Sequence, residues 1–107
     1  MIKLSDLARQ DLDDIRSYTL KTWGREQWHK YFRGLTLTFE KIQEDPSKGR
    51  DRSLLVEGML SVNYGRHVVF FKVLEASHGQ PVVLRIVHQK RHFPALVYYD
   101  DLDSSEG

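Results

Sequence analysis

Apolar residues recur at Ala8, Leu12, Ile15, Tyr18 or Thr19, and Thr22 or Trp23. That spacing predicts a helix with one apolar face. Ser5-Asp6 supplies an N-cap and a first-turn acid, although Ala8 stands where a capping box needs Glu or Gln. Asp11, Asp13, Asp14, Arg16 and Lys21 are expected largely on the solvent side, and Gly24 ends the helix. A second helix is predicted over 25–44, with Trp28, Phe32, Leu35, Phe39 and Ile42 inward and Tyr31 flanking. Gly34 inside it suggests close approach of a neighbouring helix, and Asp45-Pro46 closes it.

Alternation then replaces helical spacing. Residues 1–4 predict a short first strand and 46–58 an irregular connection. Strands follow at 59–64, 67–76 and 82–88, separated by turns at Gly65-Arg66 and 77–81. On simple alternation Leu84, Ile86 and His88 share one face of the last strand, while Val83, Arg85 and Val87 share the other. The order is β-α-α-β-β-β. It predicts an α+β fold with a helical hairpin packed on one face of a small antiparallel sheet, leaving the other face open.

The 107 residues suit one domain, expected over 1–99, with 100–107 as an acidic, flexible tail. The apolar runs, such as Val68 to Phe71 and Ala95 to Tyr99, are too short for a membrane span, and the N-terminus does not read as a secretory signal. No cysteine is present, which removes disulfides and thiolate metal sites and leaves the cytoplasm as the expected location.

The net charge of +1 hides an asymmetry. Residues 1–46 balance, 47–99 carry eight basic against three acidic residues, and 100–107 carry four acidic and no basic ones. Such a basic segment suits a polyanion or an acidic partner segment. Arg66, Lys72, Arg85, Lys90 and Arg91 come from strands or strand ends and are expected on the open face or its rim. Phosphodiester cleavage of RNA needs a base, a cation and an acid, roles available to His88, His92, Arg66 and Arg85, with Glu57 as a further base. The alternative is that His67 and His88 cap strand ends through ordinary hydrogen bonds. His88 and His92 would share a metal only on a continuous helix, which Pro94 opposes, so no metal or other cofactor is expected. No P-loop, dinucleotide fingerprint, nucleophile elbow or zincin motif is present. The helix aromatics Trp23, Trp28, Tyr31, Phe32 and Phe39 are expected in the core. Phe93, Leu96, Val97, Tyr98 and Tyr99 form an apolar cluster that folds back on the sheet or docks a partner.

Leu4-Ser5, Ala8, Asp11-Leu12, Ile15, Tyr18-Thr19, Trp23-Gly24, Gln27, Tyr31, Leu35, Phe39, Pro46, Gly49-Arg50, Gly58, the run 66–71 and Arg85-Ile86-Val87-His88-Gln89 form a pattern over nearly the whole chain. It resembles the ParE branch of the RelE/ParE superfamily, the toxins of bacterial type II toxin–antitoxin modules. The resemblance implies the same fold, a cognate antitoxin whose C-terminal segment wraps the toxin, and poisoning of DNA gyrase without catalysis by the toxin or DNA binding by the toxin alone. RelE-like relatives instead cut mRNA on the ribosome, and a non-toxic, partner-binding member is a third reading. On the ParE reading His88, Gln89, Lys90 and Arg91 are expected to contact the target, and Arg50, Arg52, Phe93 and Leu96 the antitoxin. Two departures from the pattern are the run Lys90-Arg91-His92-Phe93-Pro94 and the acidic tail.

Overall fold

The computed structural model describes residues 1–90. Strand β1 (Lys3–Leu4) leads into helices α1 (Asp6–Trp23) and α2 (Arg25–Glu44). A 3-10 turn at Pro46–Lys48 precedes β2 (Arg50–Asp51), β3 (Leu60–Tyr64) and β4 (His67–Leu74). A second 3-10 turn, Glu75–Ser77, leads to β5 (Gln80–His88). The sheet order is β1-β5-β4-β3-β2. β3, β4 and β5 pair antiparallel as expected, β2 joins β3 antiparallel as an unexpected edge strand, and β1 adds a parallel edge to β5, so the sheet is mixed. The connection over 46–58 contains the short strand β2, whose Arg50 and Asp51 pair with Ser61 and Leu60.

Ser5 caps α1 by accepting from the Ala8 N–H at 3.0 Å, and its hydroxyl donates to the Leu84 carbonyl at 2.8 Å. One residue thus starts the helix and ties it to β5. Gly24, at φ +91°, ends α1 with its N–H bonded to the Thr19 and Leu20 carbonyls, and begins α2. The main core lies between hairpin and sheet: Ala8, Ile15, Trp28, Leu35, Phe39 and Ile42 meet Val69, Phe71, Val83 and Ile86.

Three expectations of facing are corrected. β4 and β5 change register between Phe70, opposite Arg85, and Phe71, opposite Val83, so Leu84 is an extra residue. This β-bulge breaks the alternation: Val83 and Ile86 both join the helix-side core, while Leu84 and Val87 pack on the other side. That other face is not open. Met59, Val68, Phe70 and Val87 form a second small core with Leu55, Val56 and Leu84 against it. The segment 52–59 folds over the sheet in tight turns closed by Leu55 and Val56 N–H bonds to the Arg52 carbonyl. Finally, Trp23 is exposed rather than core. Asp11 lies beside Ile86, β5 ends two residues later, about 7 Å on, whereas α1 continues twelve residues, about 18 Å. The helix therefore runs past the end of the sheet.

The close approach at Gly34 comes from a strand, not from α1. A Cβ there would meet the Tyr64 hydroxyl oxygen at 2.0 Å. Tyr64 lies across α2 and donates to the Tyr31 carbonyl at 2.9 Å. No helix among the described residues is long and apolar enough to cross a membrane.

Candidate functional site at the end of the sheet

The β3–β4 turn and the exit of β5 meet where α2 presents Tyr31. Gly65, at φ +54°, makes the turn, and a Cβ on it would meet the Tyr31 ring at 2.8 Å. His67 opens β4 directly opposite His88, and their rings sit edge-on with centroids 5.5 Å apart. The Tyr31 hydroxyl lies 2.5 Å from His67 Nδ1 and 3.2 Å from the Tyr64 carbonyl. A carbonyl only accepts, so the single hydroxyl proton points to Tyr64, and His67 donates from Nδ1. Burial pushes Tyr31 up to about 12, and burial followed by the neighbouring His88 pulls His67 down to about 4. Both groups are therefore neutral near pH 7. This supports a structural hydrogen-bonded relay holding α2 to the sheet, as in the strand-end reading of His67.

Beyond the relay the surface is cationic. The Gln89 N–H donates to the Arg66 carbonyl at 2.9 Å and its side-chain amide to the Gly65 carbonyl at 3.2 Å. These bonds hold the β5 exit against the turn, and Arg66, Gln89 and Lys90 are all exposed there. The Lys90 N–H donates to His88 Nδ1 at 3.1 Å.

Arg85 does not join this group. Its Nε and a terminal nitrogen meet the two oxygens of Asp11 at 2.8 and 3.0 Å, and one of those oxygens also accepts from the Ile86 N–H at 2.9 Å. β1 has already ended here, so the Asp11 carboxylate takes the place of a neighbouring strand on the β5 edge. Asp11 is thus an inward residue, not a solvated one. The signal was its position three residues after Ala8 and four before Ile15, within the buried stripe.

Glu57 lies at the other end of the molecule, before Leu60, four residues or about 13 Å along β3 from Tyr64. It is not brought to His88. Lys72 lies there too, its side chain beside Gly58. Arg50 is exposed on the edge strand β2. Arg52 is half-buried, bonds the Ser61 hydroxyl at 2.8 Å and stands over the Phe70 ring at 5.8 Å. Burial and the neighbouring Arg50 lower its pKa. Arg91, His92, Phe93, Leu96 and the acidic tail lie outside the described residues. Among the described residues no three His, Asp or Glu side chains gather as a metal site.

Fold and site together define a small α+β protein whose distinctive surface is the cation-lined end of a sheet braced by a helical hairpin. The sequence model of the ParE toxin of type II toxin–antitoxin system, parDE, matches residues 2–93, and the chain belongs to that family. It is 40% identical over 88 residues to Toxin ParE1 of Caulobacter vibrioides, covering 81% of this chain and 86% of that protein. It is 29% identical to Toxin ParE1 of Mycobacterium tuberculosis over 87 residues, covering 81% and 87%. A chain of the chromosomal ParDE TA system from P. aeruginosa shares the fold at a TM-score of 0.64 and 22% identity, covering 82% of this chain and 96% of that one.

Proposed function

We propose that this ParE-family toxin stops growth by poisoning DNA gyrase and that a cognate antitoxin neutralises it. The observation that weighs against RNA cleavage is the Asp11–Arg85 pair, which holds one of the two candidate arginines by two hydrogen bonds at the β5 edge and away from His88. His67 adds weight, being neutral and spent on Tyr31. What the end of the sheet offers instead is an exposed rim of Arg66, Gln89 and Lys90 suited to gripping a target, with His88 and Arg91 beside them in sequence. The antitoxin reading rests on family membership and on cations at the opposite sheet edge, where Arg50 is exposed. Arg52, Phe93 and Leu96 complete that proposed contact, and the protein is expected to act in the cytoplasm.

The test is ATP-dependent supercoiling and DNA cleavage by purified gyrase with the toxin added, then the antitoxin. Loss of supercoiling with cleaved DNA accumulating, reversed by the antitoxin, is the expected result. Unaffected gyrase together with codon-dependent mRNA cleavage on ribosomes would transfer the reading to a ribonuclease. Normal growth on induction without antitoxin would indicate a partner-binding member without toxicity. Arg50→Glu should weaken antitoxin binding and flatten its salt dependence while leaving gyrase inhibition intact; unchanged antitoxin affinity removes Arg50 from that interface.

A further inference from the structure

We propose that the end of the sheet built from the β3–β4 turn and the β5 exit is a phosphodiester site, through which the toxin holds the DNA of the gyrase–DNA complex as well as the enzyme. The inference rests on the gyrase reading above and names a second ligand for the same surface.

Three donors are carried there on adjoining backbone segments held together by Gln89. The Gln89 N–H bond to the Arg66 carbonyl, 2.9 Å, and the Gln89 side-chain bond to Gly65, 3.2 Å, place residues 66 and 90 on adjoining chain segments. Both side chains are exposed, and no ion pair among the described residues engages either. The Lys90 N–H donates to His88 Nδ1, so that nitrogen carries a lone pair and the ring proton sits on Nε2, a third donor. The guanidinium fork, the ammonium and the imidazole N–H offer hydrogen bonds and charge to an anion with several acceptor oxygens.

The two described segments that form this end, Tyr64 to His67 and His88 to Lys90, carry no acidic side chain of their own, and α2 brings Tyr31 and Gly34 to this end. Among the described residues, a carboxylate that acts on this end is Asp11 of α1, felt by His67 and fastened to Arg85 and the Ile86 N–H.

A nucleic-acid backbone fits better than an acidic protein segment. Protein interfaces are anchored by buried aromatic and apolar side chains at their centre. Among the described residues, none of the exposed large apolar ones, Tyr18, Trp23, Leu37 and Leu54 among them, belongs to the turn or to the β5 exit. Phosphate contacts need only cations and N–H donors, and they suit a projecting rim.

Two measurements test this. In the first, the toxin alone is titrated by NMR with inorganic phosphate, a short DNA duplex and hexaglutamate. Shifts centred on Arg66, His88 and Lys90, larger for phosphate and duplex than for hexaglutamate at equal charge, are expected. Absence of shifts overturns the site, and a reversed ranking assigns it to an acidic protein segment. In the second, toxin affinity for gyrase is measured with and without a duplex, over a range of salt. DNA should raise the affinity of the wild type, and the variant Arg66→Gln/Lys90→Gln should lose that gain. The slope of log affinity against log salt should fall by about two, so that a fourfold rise in salt costs the wild type about tenfold more than the variant. Affinity for gyrase without DNA also falls where the rim touches the enzyme, so the quantity compared between variant and wild type is the gain on adding DNA, the ratio of the two affinities. A variant that keeps the full DNA-dependent gain, or a wild type that gains nothing, overturns the proposal with the gyrase reading intact. A wild type that binds gyrase under neither condition overturns the gyrase reading, and the titration then decides the phosphate site by itself.

Discussion

Replacing Asp11 by alanine removes three hydrogen bonds at once: two from Arg85 and one from the Ile86 N–H. The side chains of the pair are each 13% exposed, so the guanidinium left behind is poorly solvated. Breaking a buried ion pair from one side costs about 3–5 kcal/mol, and an orphaned backbone N–H adds about 1–3 kcal/mol. Water reaches the pair from the edge of β5, which lowers both figures, and a net loss of about 3 kcal/mol is expected. A domain of this size holds about 5–10 kcal/mol in total. With a urea slope of about 1.5 kcal/mol per molar, the unfolding midpoint should drop by about 2 M. Asp11→Asn keeps an acceptor for the Ile86 N–H but loses the charge, and should cost about half as much.

The double variant Asp11→Ala/Arg85→Met also removes the cation that Asp11 neutralises and should recover part of the loss, so that the two single effects sum to more than the double. A urea melt of Asp11→Ala within about 0.5 kcal/mol of wild type would refute the edge-closing role of the carboxylate, since surface changes fall in that range. The same series carries a functional consequence. Arg85→Met, once shown to be folded, should still arrest gyrase, because Arg85 serves the fold. A ribonuclease using Arg85 would lose its activity in that variant.

Gly34→Ala pits helix propensity, about 1 kcal/mol in favour of alanine, against a Cβ placed 2.0 Å from the Tyr64 hydroxyl oxygen and 2.6 Å from its ring. Displacing Tyr64 also gives up its bond to the Tyr31 carbonyl. A net loss of about 1–2 kcal/mol is expected, and a thermal melt at or above the wild-type Tm would contradict it. His67, held down to about 4 against the ordinary 6.5, binds its proton more readily in the unfolded chain. Its contribution to stability is therefore fully present above pH 6.5 and is lost as pH falls towards 4. His67→Gln should flatten the slope of stability against pH across that window, and an unchanged slope would remove His67 as its source.

The elements of this fold are legible because each has a local cause. Ser5 and Gly24 bound α1, Pro46 follows α2, and Gly65 turns β3 into β4. What alternation misplaces lies around one residue. Leu84 is an extra member of β5, and from it onward the facing of Val83, Arg85 and Val87 separates. Such a bulge has no glycine or proline to announce it, because it is set by the neighbouring strand and by the Ser5 hydroxyl bonded to the Leu84 carbonyl from 79 residues away. The solvent-side expectation for Asp11 fails for a related reason: its inward place is visible in the spacing from Ala8 and Ile15, but a carboxylate there makes sense only because β1 stops after Leu4. The covered second face is equally non-local, since Leu55 and Val56 look like loop residues until the segment folds over Phe70.

Helix α1, the short β1 and the bulge are one arrangement with a functional side. Because β1 ends early, β5 needs the Asp11 carboxylate at Ile86, and Arg85 is drawn to the same carboxylate. That withdraws the one arginine inside β5 from the cationic group. Exposed charge remains at the strand exit, where Gln89 fixes Arg66 beside Lys90 and the Tyr31–His67 contact braces them from below. A surface made in this way has a rigid base and long, solvated tips. It suits an ionic grip on a large partner, and the comparison of Arg85→Met with Arg66→Gln/Lys90→Gln separates the charge that holds the fold from the charge that meets the target.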